Sequence, residues 1–393
     1  MIPAVLPTYA RYDIAFDHGE GAYLWDSENR RYLDFGAGIA VASIGHCHPH
    51  LVEAIREQAG KLMHTSNLYH IGGQERLADR LVANTFADAV FFNNSGNEAV
   101  ELGVKMMRHY HWANGNPERY RVITVQGAFH GRSLAMLAAG KQEKHLKGFG
   151  PQVDGFDQVA FDNLNELKAA IGPETAGILV EPVQGEGGIR PMSKEYLQSL
   201  RSIADEFGLL LMFDEVQSGV GRTGKLYAYE WAGIAPDILA SAKGIGGGFP
   251  LGATLASEKA AISMTAGSHG STYGGNPLAM AAGNAVLDVI LAPGFMENVQ
   301  KVAGEFRTGL EDIVARYPTL YEDARGTGLM LGLKCKIANG DVVAELMLNG
   351  LLSVPAGDNV VRFVPPLIIT SDDAKAALTI IDASSRELAE DAA

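Results

Sequence analysis

The sequence is poor in cysteine and has no long apolar run. Its two cysteines, Cys47 and Cys335, do not belong to a C-x-x-C pair, which argues against a disulfide scaffold. No apolar run approaches the roughly 20 residues that span a bilayer, so we expect no membrane association. The first residues lack a basic segment followed by an apolar one, which is typical of a cytoplasmic rather than an exported protein.

Basic residues are also in the minority. The chain has 32 Lys and Arg against 46 Asp and Glu, a formal net charge of −14, which argues against a general role on nucleic acid or on an anionic membrane. Hydrophobic residues make up 47% of the chain and charged residues 20%, which excludes a disordered protein. We therefore expect small-molecule partners. Glycine is abundant, with 46 residues, and this predicts many tight turns or close approaches of backbone to a ligand.

Helical patterns alternate with short apolar runs from residue 48 to about 290. This alternation, with strands that are apolar on both faces, predicts an α/β fold with a mostly parallel sheet covered by helices. We assign residues 51–294 to this large domain. Short strands and helices at both chain ends predict a smaller α+β domain, built from residues 1–50 together with residues 295–393.

An apolar strand, GLLLMFDE, runs straight into Asp214 and Glu215. A buried carboxylate is costly unless a cation or a hydrogen-bond donor meets it, so we expect a partner for Asp214 at the carboxyl edge of the sheet. The GVGRTGK that follows satisfies the spacing G-x-x-x-x-G-K, and this makes a P-loop nucleotide hydrolase the alternative from another class. Leu226 stands where that motif needs Ser or Thr to hold Mg²⁺, which disfavours the alternative.

Two further segments carry candidate chemistry beside strand ends. In NNSGNEAVE, Ser95 and Glu98 form a capping box that predicts a helix from about Gly96, with free backbone N–H groups suited to a phosphate. In LASAKGIGGGFPLG, Lys243 is expected to end a strand amid glycines, a setting that suits a Schiff base with a carbonyl cofactor. Taken singly, an ordinary helix cap and an ordinary loop lysine are the commoner interpretations. Together with Asp214 as the partner of a pyridine nitrogen, they predict pyridoxal 5′-phosphate as the cofactor.

Motifs along nearly the whole chain then carry a family resemblance. They are, in order, GEGAYLWD, YLDFGAGIAV, GHCHP, NNSGNEA, AFHGRS, ILVEPVQGEGG, FDEVQSGVGRTG, LASAKGIGGGFPLGA, HGSTYGGNP and VRFVPPL. The sequence resembles the class III, pyridoxal-phosphate-dependent aminotransferases, and most closely their acetylornithine aminotransferase subgroup. The resemblance implies the fold type I of pyridoxal-phosphate enzymes. It also implies transfer of the terminal amino group of N2-acetylornithine to 2-oxoglutarate, giving N-acetylglutamate 5-semialdehyde and glutamate in arginine biosynthesis.

The resemblance also implies the cofactor contacts. Lys243 would hold the cofactor aldehyde and move the proton between substrate and cofactor, while Asp214 would pair with the ring nitrogen. The remaining cofactor-binding residues would be Ser95, Gly96, Asn97, Phe129, Val216, Gln217 and, from a second subunit, Thr272. That last contact implies a homodimer with shared active sites. The family usually has Thr where this chain has Asn97, so the phosphate contact there comes from the amide or only from the backbone.

Substrate recognition follows from charge, because arginine binds carboxylates through its planar fork. The resemblance assigns Arg132 to the carboxylate remote from the reacting carbon and Arg362 to the α-carboxylate of 2-oxoglutarate. Glu186 would neutralise Arg362 while the amine donor reacts; a structural ion pair is the open alternative. Ser271 would add a polar contact to the substrate end, and Ile39 fits an acylated amine better than a free one. Succinylornithine, succinyl-diaminopimelate, ornithine and 4-aminobutyrate aminotransferases are the rivals that use the same machinery.

Histidines raise the question of a metal. His46, His48 and His50 have no matching partner cluster, and His48 before proline suits a helix start, so we expect no metal site there. We expect His130 to hydrogen-bond behind the site rather than to act as the catalytic base.

Overall fold

The computed structural model describes residues 2–391. Its strands are β1 Phe16–Glu20, β2 Tyr23–Asp26, β3 Arg31–Asp34, β4 Ala89–Asn93, β5 Arg121–Val125, β6 Phe156–Val159, β7 Thr175–Val180, β8 Val183–Gln184, β9 Arg190–Pro191, β10 Leu210–Asp214, β11 Ile238–Ser241, β12 Gly252–Ala256, β13 Tyr321–Thr327, β14 Met330–Cys335, β15 Leu351–Leu352, β16 Val354–Ala356 and β17 Val360–Phe363. Its helices are α1 Ala37–Ala40, α2 Pro49–Lys61, α3 Gly72–Asn84, α4 Gly96–Ala113, α5 Leu134–Gly140, α6 Glu143–Leu146, α7 Leu164–Ala169, α8 Lys194–Glu206, α9 Tyr229–Ala232, α10 Glu258–Ala261, α11 Pro277–Ile290, α12 Phe295–Arg316, α13 Asn339–Leu348 and α14 Ser371–Asp391.

The central sheet has the strand order β4-β12-β11-β10-β7-β5-β6. Strand β12 pairs antiparallel with both neighbours, whereas the pairs β11–β10, β10–β7, β7–β5 and β5–β6 are parallel. The predicted α/β fold with a mostly parallel sheet is therefore confirmed. Helix α4 packs on one face, against β11 and β12, and helix α8 packs against β10 and β7.

The pleat of β10 explains why that strand is apolar throughout. Leu210 and Met212 belong to one buried cluster, which includes residues of α4, while Leu211 and Phe213 belong to another that includes residues of α8. Successive side chains of a strand point to opposite faces, so a strand covered on both faces by helices needs an apolar residue at every position. Asp214, the last residue of β10, is the exception.

Two smaller sheets are built from the ends of the chain. One has the order β1-β2-β3-β15, in which Leu33 of β3 pairs with Leu351 of β15, and the other has the order β13-β14-β17-β16. Early and late segments thus share a sheet, as the proposed small domain requires. The boundaries of that domain, residues 1–50 and 295–393, stay a prediction.

Within residues 2–391, no single helix is long and apolar enough to cross a membrane. The consecutive helices α11 and α12 together have the length and composition of a membrane span, but the chain bends by 71° between them.

Candidate active site

A cavity of about 620 Å³ opens at one edge of the central sheet. Five strands that run in the same direction end at this edge, at Asn93, Val125, Val180, Asp214 and Ser241. In parallel sheets, ligands bind beyond the carboxyl ends of the strands, because the connecting loops there can be shaped without disturbing the core. Nine of the predicted site residues line this central cavity: Ser95, Gly96, Asn97, Phe129, Arg132, Asp214, Val216, Gln217 and Lys243.

Asp214 lies at the floor of the central cavity and has the hydrogen-bond partners that a buried carboxylate requires. Its side chain is 4% exposed, and Nδ1 of His130, itself fully buried, lies 2.8 Å from its Oδ2. The backbone N–H of Val216 donates to its Oδ1 at 3.1 Å. His130 Nε2 is buried and has no hydrogen-bond partner among residues 2–391. His130 therefore hydrogen-bonds the acid from behind, as the sequence predicted.

Glu181 is a second buried carboxylate of the central cavity, and the sequence reasoning missed it. The backbone N–H groups of Phe129 and Gly185 donate to it at 2.8 and 3.3 Å. Burial and then the nearby charge of Asp214 raise its pKa to about 7. The signal was in the sequence: the strand of ILVEP runs into an acid just as GLLLMFDE does.

Lys243 enters the central cavity from a strained turn. The prediction that it ends a strand was wrong, because β11 stops at Ser241 and Lys243 begins a short 3-10 turn with a φ of 48°. Left-handed backbone at a residue other than glycine costs free energy, and such strain clusters at functional sites. Burial and then the charge of Arg362 lower the pKa of the Lys243 amine to about 8. In the described part of the chain, this amine has no hydrogen-bond or ion-pair partner.

The amino end of α4 forms another wall of the central cavity. Ser95 is the N-cap, and its hydroxyl accepts from the N–H of Glu98 at 3.3 Å, so the predicted helix start is confirmed. Glu98 itself reaches back to the N–H of Asn94, at 2.6 Å, one residue earlier than a standard capping box. The N–H groups of Gly96 and Asn97 have no partner within residues 2–391. Free N–H groups at the positive end of a helix bind phosphate.

Arg362 lies deeper and is fully buried. Its Nη1 donates to Glu186 Oε1 at 2.7 Å and to Gln217 Oε1 at 2.9 Å, so the predicted residues do meet. Burial alone would raise the pKa of Glu186, but the charge of Arg362 and its hydrogen bond outweigh burial and hold that pKa below its ordinary value. The Nε and Nη2 atoms of Arg362 are buried without a partner in the described structure. An arginine with two unpaired hydrogen-bond donors can bind a carboxylate through both of them.

Arg132 sits at the mouth of the central cavity. The guanidinium carbon lies 5.6 Å from the ring centre of Phe129, and its Nη2 lies 3.3 Å from His145 Nε2. No carboxylate pairs with it among residues 2–391. An exposed arginine with a free fork at a cavity mouth suits recognition of an incoming carboxylate.

Ser271 and Thr272 do not reach the central cavity of their own chain. They line a separate cavity, about 420 Å³, beside the start of α4. The Ser271 hydroxyl accepts from the backbone N–H of Gly274 at 2.8 Å, and Thr272 is exposed. A contact of Thr272 with a cofactor phosphate therefore requires a second copy of the chain, as the sequence analysis supposed.

The rival motifs take structural roles. In the near P-loop, Arg222 is buried and its Nη1 donates to the backbone oxygens of Leu329 and Pro365, and no helix follows Lys225 directly. The three clustered histidines have separate surroundings: His46 pairs with Asp34, His50 pairs with Asp288, and His48 occupies the N-cap position of α2 without a side-chain capping hydrogen bond. Within the described chain, no group of three His, Cys, Asp or Glu residues is arranged to hold a metal ion.

The residues of the central cavity fit a phosphorylated pyridine aldehyde. The unpartnered amine of Lys243 matches an aldehyde, and the buried carboxylate of Asp214 matches a protonated ring nitrogen. The free N–H groups of Gly96 and Asn97 match a phosphate. Gly96 also leaves room for the side chain of Val216, because a Cβ there would lie 2.6 Å from Val216 Cγ1.

Comparisons with known proteins agree with this fit. A family model described as aminotransferase class-III matches residues 7–384. An acetylornithine aminotransferase of Mesorhizobium japonicum is 59% identical over 387 residues, which cover 98% of this chain and 97% of that protein.

Solved structures agree as well. An ornithine aminotransferase of Toxoplasma gondii, described with partial occupancy of PLP at its active site, gives a TM-score of 0.95 at 31% identity, covering 99% of this chain and 93% of that one. An N-acetylornithine aminotransferase of Stenotrophomonas maltophilia gives a TM-score of 0.85 at 35% identity, with 97% and 98% covered. The fold is thus common to enzymes named for different amines, and backbone similarity alone does not choose between them.

Proposed function

Since this chain belongs to the class-III aminotransferases, we propose that it moves the terminal amino group of N2-acetylornithine to 2-oxoglutarate. The products are N-acetylglutamate 5-semialdehyde and glutamate, in a step of arginine biosynthesis. The observation that carries this proposal is the buried Arg362, paired with Glu186 yet keeping two idle donors. The names of the relatives that are 54 to 59% identical support the choice of amine.

Pyridoxal 5′-phosphate, on which this family depends, supplies an aldehyde that receives the amino group and a ring that withdraws electrons from the reacting carbon. Asp214 would pair with the ring nitrogen and keep a proton on it, and His130, hydrogen-bonded to Asp214, would fix the direction of that carboxylate. The N–H groups of Gly96 and Asn97, with the cap Ser95, would hold the phosphate. Phe129 and Val216 would cover the two faces of the ring, and Gln217 would hydrogen-bond the ring hydroxyl.

Lys243 would hold the cofactor at rest and, once the substrate has displaced the lysine amine, would move the proton. Its amine takes up the proton that leaves the terminal carbon of the amine donor. A pKa of about 8 keeps roughly a tenth of the free amine neutral at pH 7, whereas an ordinary lysine would be almost fully protonated. Burial thus makes a neutral amine available as a base near neutral pH.

The pair of Glu186 and Arg362 lets one cavity accept two different substrates. The amine donor reacts at a terminal CH₂ that bears no carboxylate, so Glu186 neutralises Arg362 during that half-reaction. When 2-oxoglutarate enters, its α-carboxylate takes the idle Nε and Nη2 donors, and Glu186 moves aside; its side chain is 30% exposed, which leaves it room. Arg132 receives the remote carboxylate of either substrate, and Ser271, which does not reach the central cavity of its own chain, would add a polar contact at that end from a second subunit.

We further propose a homodimer with shared active sites. The segment of Asn67 is joined to the segment of Ser271, because the Asn67 amide donates to the backbone oxygens of Ser271 and Gly274 at 3.1 and 2.8 Å. The two segments expose Leu68 by 87% and Tyr273 by 62%. Exposed apolar side chains on one surface are typical of a protein interface. A second copy seated here would carry Thr272 toward the partner's phosphate site.

A cytoplasmic location completes the proposal. Cys47 and Cys335 are both free thiols, which suits a reducing compartment.

Steady-state assays with a panel of amines test the substrate. The amines are N2-acetylornithine, N2-succinylornithine, N-succinyl-diaminopimelate, ornithine and 4-aminobutyrate, each with 2-oxoglutarate and followed as glutamate formed. We expect the highest kcat/KM with N2-acetylornithine. A higher value with another amine would reassign the substrate and keep the mechanism, whereas no glutamate from any amine would overturn the proposal.

A further inference from the structure

The side chain of Asn97 faces a loop of the protein. Its Oδ1 accepts two backbone hydrogen bonds, from the N–H of Arg132 at 2.8 Å and from the N–H of Ser133 at 2.9 Å. The oxygen is thus committed to the loop, while the backbone N–H of Asn97 stays free on the side of the central cavity. One residue therefore touches two functional regions through two different groups.

The loop is shaped to reach this oxygen. Gly131 has a φ of 136°, and a Cβ there would lie 2.2 Å from Asn97 Oδ1. Any side chain at this position would push the loop away from Asn97, so only glycine permits the two hydrogen bonds. One turn further along α4, Glu101 accepts from the Ser133 hydroxyl at 2.6 Å. Asn97 and Glu101 are four residues apart, so a single face of the helix holds the loop.

The side chain of Arg132 gains little anchoring of its own. It is exposed, and beyond the ring of Phe129 and the imidazole of His145 it contacts no charged partner in the described chain. Its long side chain has many rotamers, so the place from which it can meet a carboxylate is set mainly by where its backbone is held. That backbone is held by Asn97.

We propose that Asn97 is a positioning residue for the substrate: its side-chain oxygen fixes Arg132 while its backbone N–H faces the cofactor phosphate, so that one residue sets the distance between the phosphate and the substrate's remote carboxylate. This inference rests on the proposed function, in which Arg132 binds that carboxylate. It also assigns a task to the amide that stands here in place of the usual Thr. The side chain acts on the loop, and the phosphate contact comes from the backbone.

Three variants test the inference. Asn97→Ala removes the acceptor and keeps the backbone N–H, Asn97→Asp keeps an acceptor oxygen, and Asn114→Ala is the matched control at the far end of the same helix. Hydrogen–deuterium exchange of a peptide spanning residues 129–136 reports on the two amides without any turnover. The second readout is a ratio of two kcat/KM values: that of the panel amine with the highest kcat/KM, divided by that of the same amine without its carboxylate. If the preferred amine is N2-acetylornithine, the carboxylate-free analogue is N-acetyl-1,4-diaminobutane.

We expect Asn97→Ala to speed exchange at the amides of Arg132 and Ser133 by at least about tenfold and to lower the kcat/KM ratio by about tenfold, as the loss of one to two ordinary hydrogen bonds predicts. Asn97→Asp and Asn114→Ala should both keep the slow exchange. If Asn97→Ala does not fold, Gly131→Ala breaks the same contact from the loop side and should lower the ratio similarly.

Two results would overturn the inference. One is unchanged exchange in Asn97→Ala, and the other is faster exchange with a ratio within about twofold of the wild-type value, which would make Asn97 a purely structural tether. Failure of the proposed function is distinguishable, because it appears in the wild-type enzyme as no turnover of any panel amine, while the exchange experiment still reports on the loop.

Discussion

Replacing Glu186 by glutamine should separate the two half-reactions. The variant keeps the shape and one oxygen of the side chain but removes the negative charge that neutralises Arg362 while the amine donor is bound. The donor half-reaction should slow, because a fully buried guanidinium would then face a substrate carbon that bears no carboxylate. The 2-oxoglutarate half-reaction should not slow, since its carboxylate supplies the missing charge.

The magnitude follows from the contact. Glu186 Oε1 lies 2.7 Å from Arg362 Nη1, and charge-assisted hydrogen bonds contribute about 1.5–3 kcal/mol. The Glu186 side chain is 30% exposed, so solvent screening places the effect at the lower end, about 1.5–2 kcal/mol. That corresponds to about a 10- to 30-fold lower kcat/KM for N2-acetylornithine.

Stopped-flow absorbance of the bound cofactor measures each half-reaction by itself. The first uses the amine without keto acid, and the second uses the aminated enzyme with 2-oxoglutarate. Glu322→Gln, at an exposed carboxylate of β13, is the control and should leave both rates unchanged. An equal loss of rate in both half-reactions of Glu186→Gln would refute the reasoning. The contact between Glu186 and Arg362 would then be a structural ion pair.

Three further predictions follow from the site. The rate at which the apoenzyme takes up cofactor should rise with pH and reach half its maximum near pH 8. The reason is that only the neutral amine of Lys243 reacts, and burial lowers the pKa of that amine to about 8. A midpoint above about pH 10 would contradict this assignment. Asp214→Asn should slow amine turnover by at least about 100-fold in a steady-state glutamate assay, because an amide cannot hold a proton on the ring nitrogen by charge; a loss below about tenfold would assign Asp214 a structural role. Leu68→Glu should shift the protein from dimer to monomer in analytical ultracentrifugation and reduce its activity. The control Trp112→Glu, at an exposed position near the carboxyl end of α4, should leave the dimer intact. An unchanged dimer in Leu68→Glu would refute the proposed interface.

The sequence predicted the parts of the molecule that follow from local pattern. The capped start of α4 was visible because Ser95 and Glu98 stand three residues apart, and the floor of the central cavity was visible because an apolar strand ends on Asp214. Both signals are short in range: a helix needs its cap, and a strand buried on both faces needs apolar residues up to its end.

Features that depend on tertiary contacts were harder to predict. The left-handed backbone of Lys243 was missed, because glycines around a lysine do not show which residue carries the strain. The side-chain role of Asn97 was also out of reach, because its partner Arg132 lies 35 residues away on another loop. The position of Glu181 was readable in principle and overlooked, since this acid directly follows Val180, the last residue of β7, much as Asp214 closes β10.

A single-turnover absorbance experiment shows which amine the enzyme accepts and whether Lys243 is required. Purified enzyme loaded with pyridoxal 5′-phosphate is mixed in single turnover with each panel amine, without keto acid, and the same is done with Lys243→Ala. We expect rapid conversion of the cofactor to its amine form by N2-acetylornithine, slow or no conversion by ornithine and 4-aminobutyrate, and none in the variant. Absence of any cofactor absorbance in the loaded wild-type protein, or equal conversion in Lys243→Ala, would contradict the proposed function.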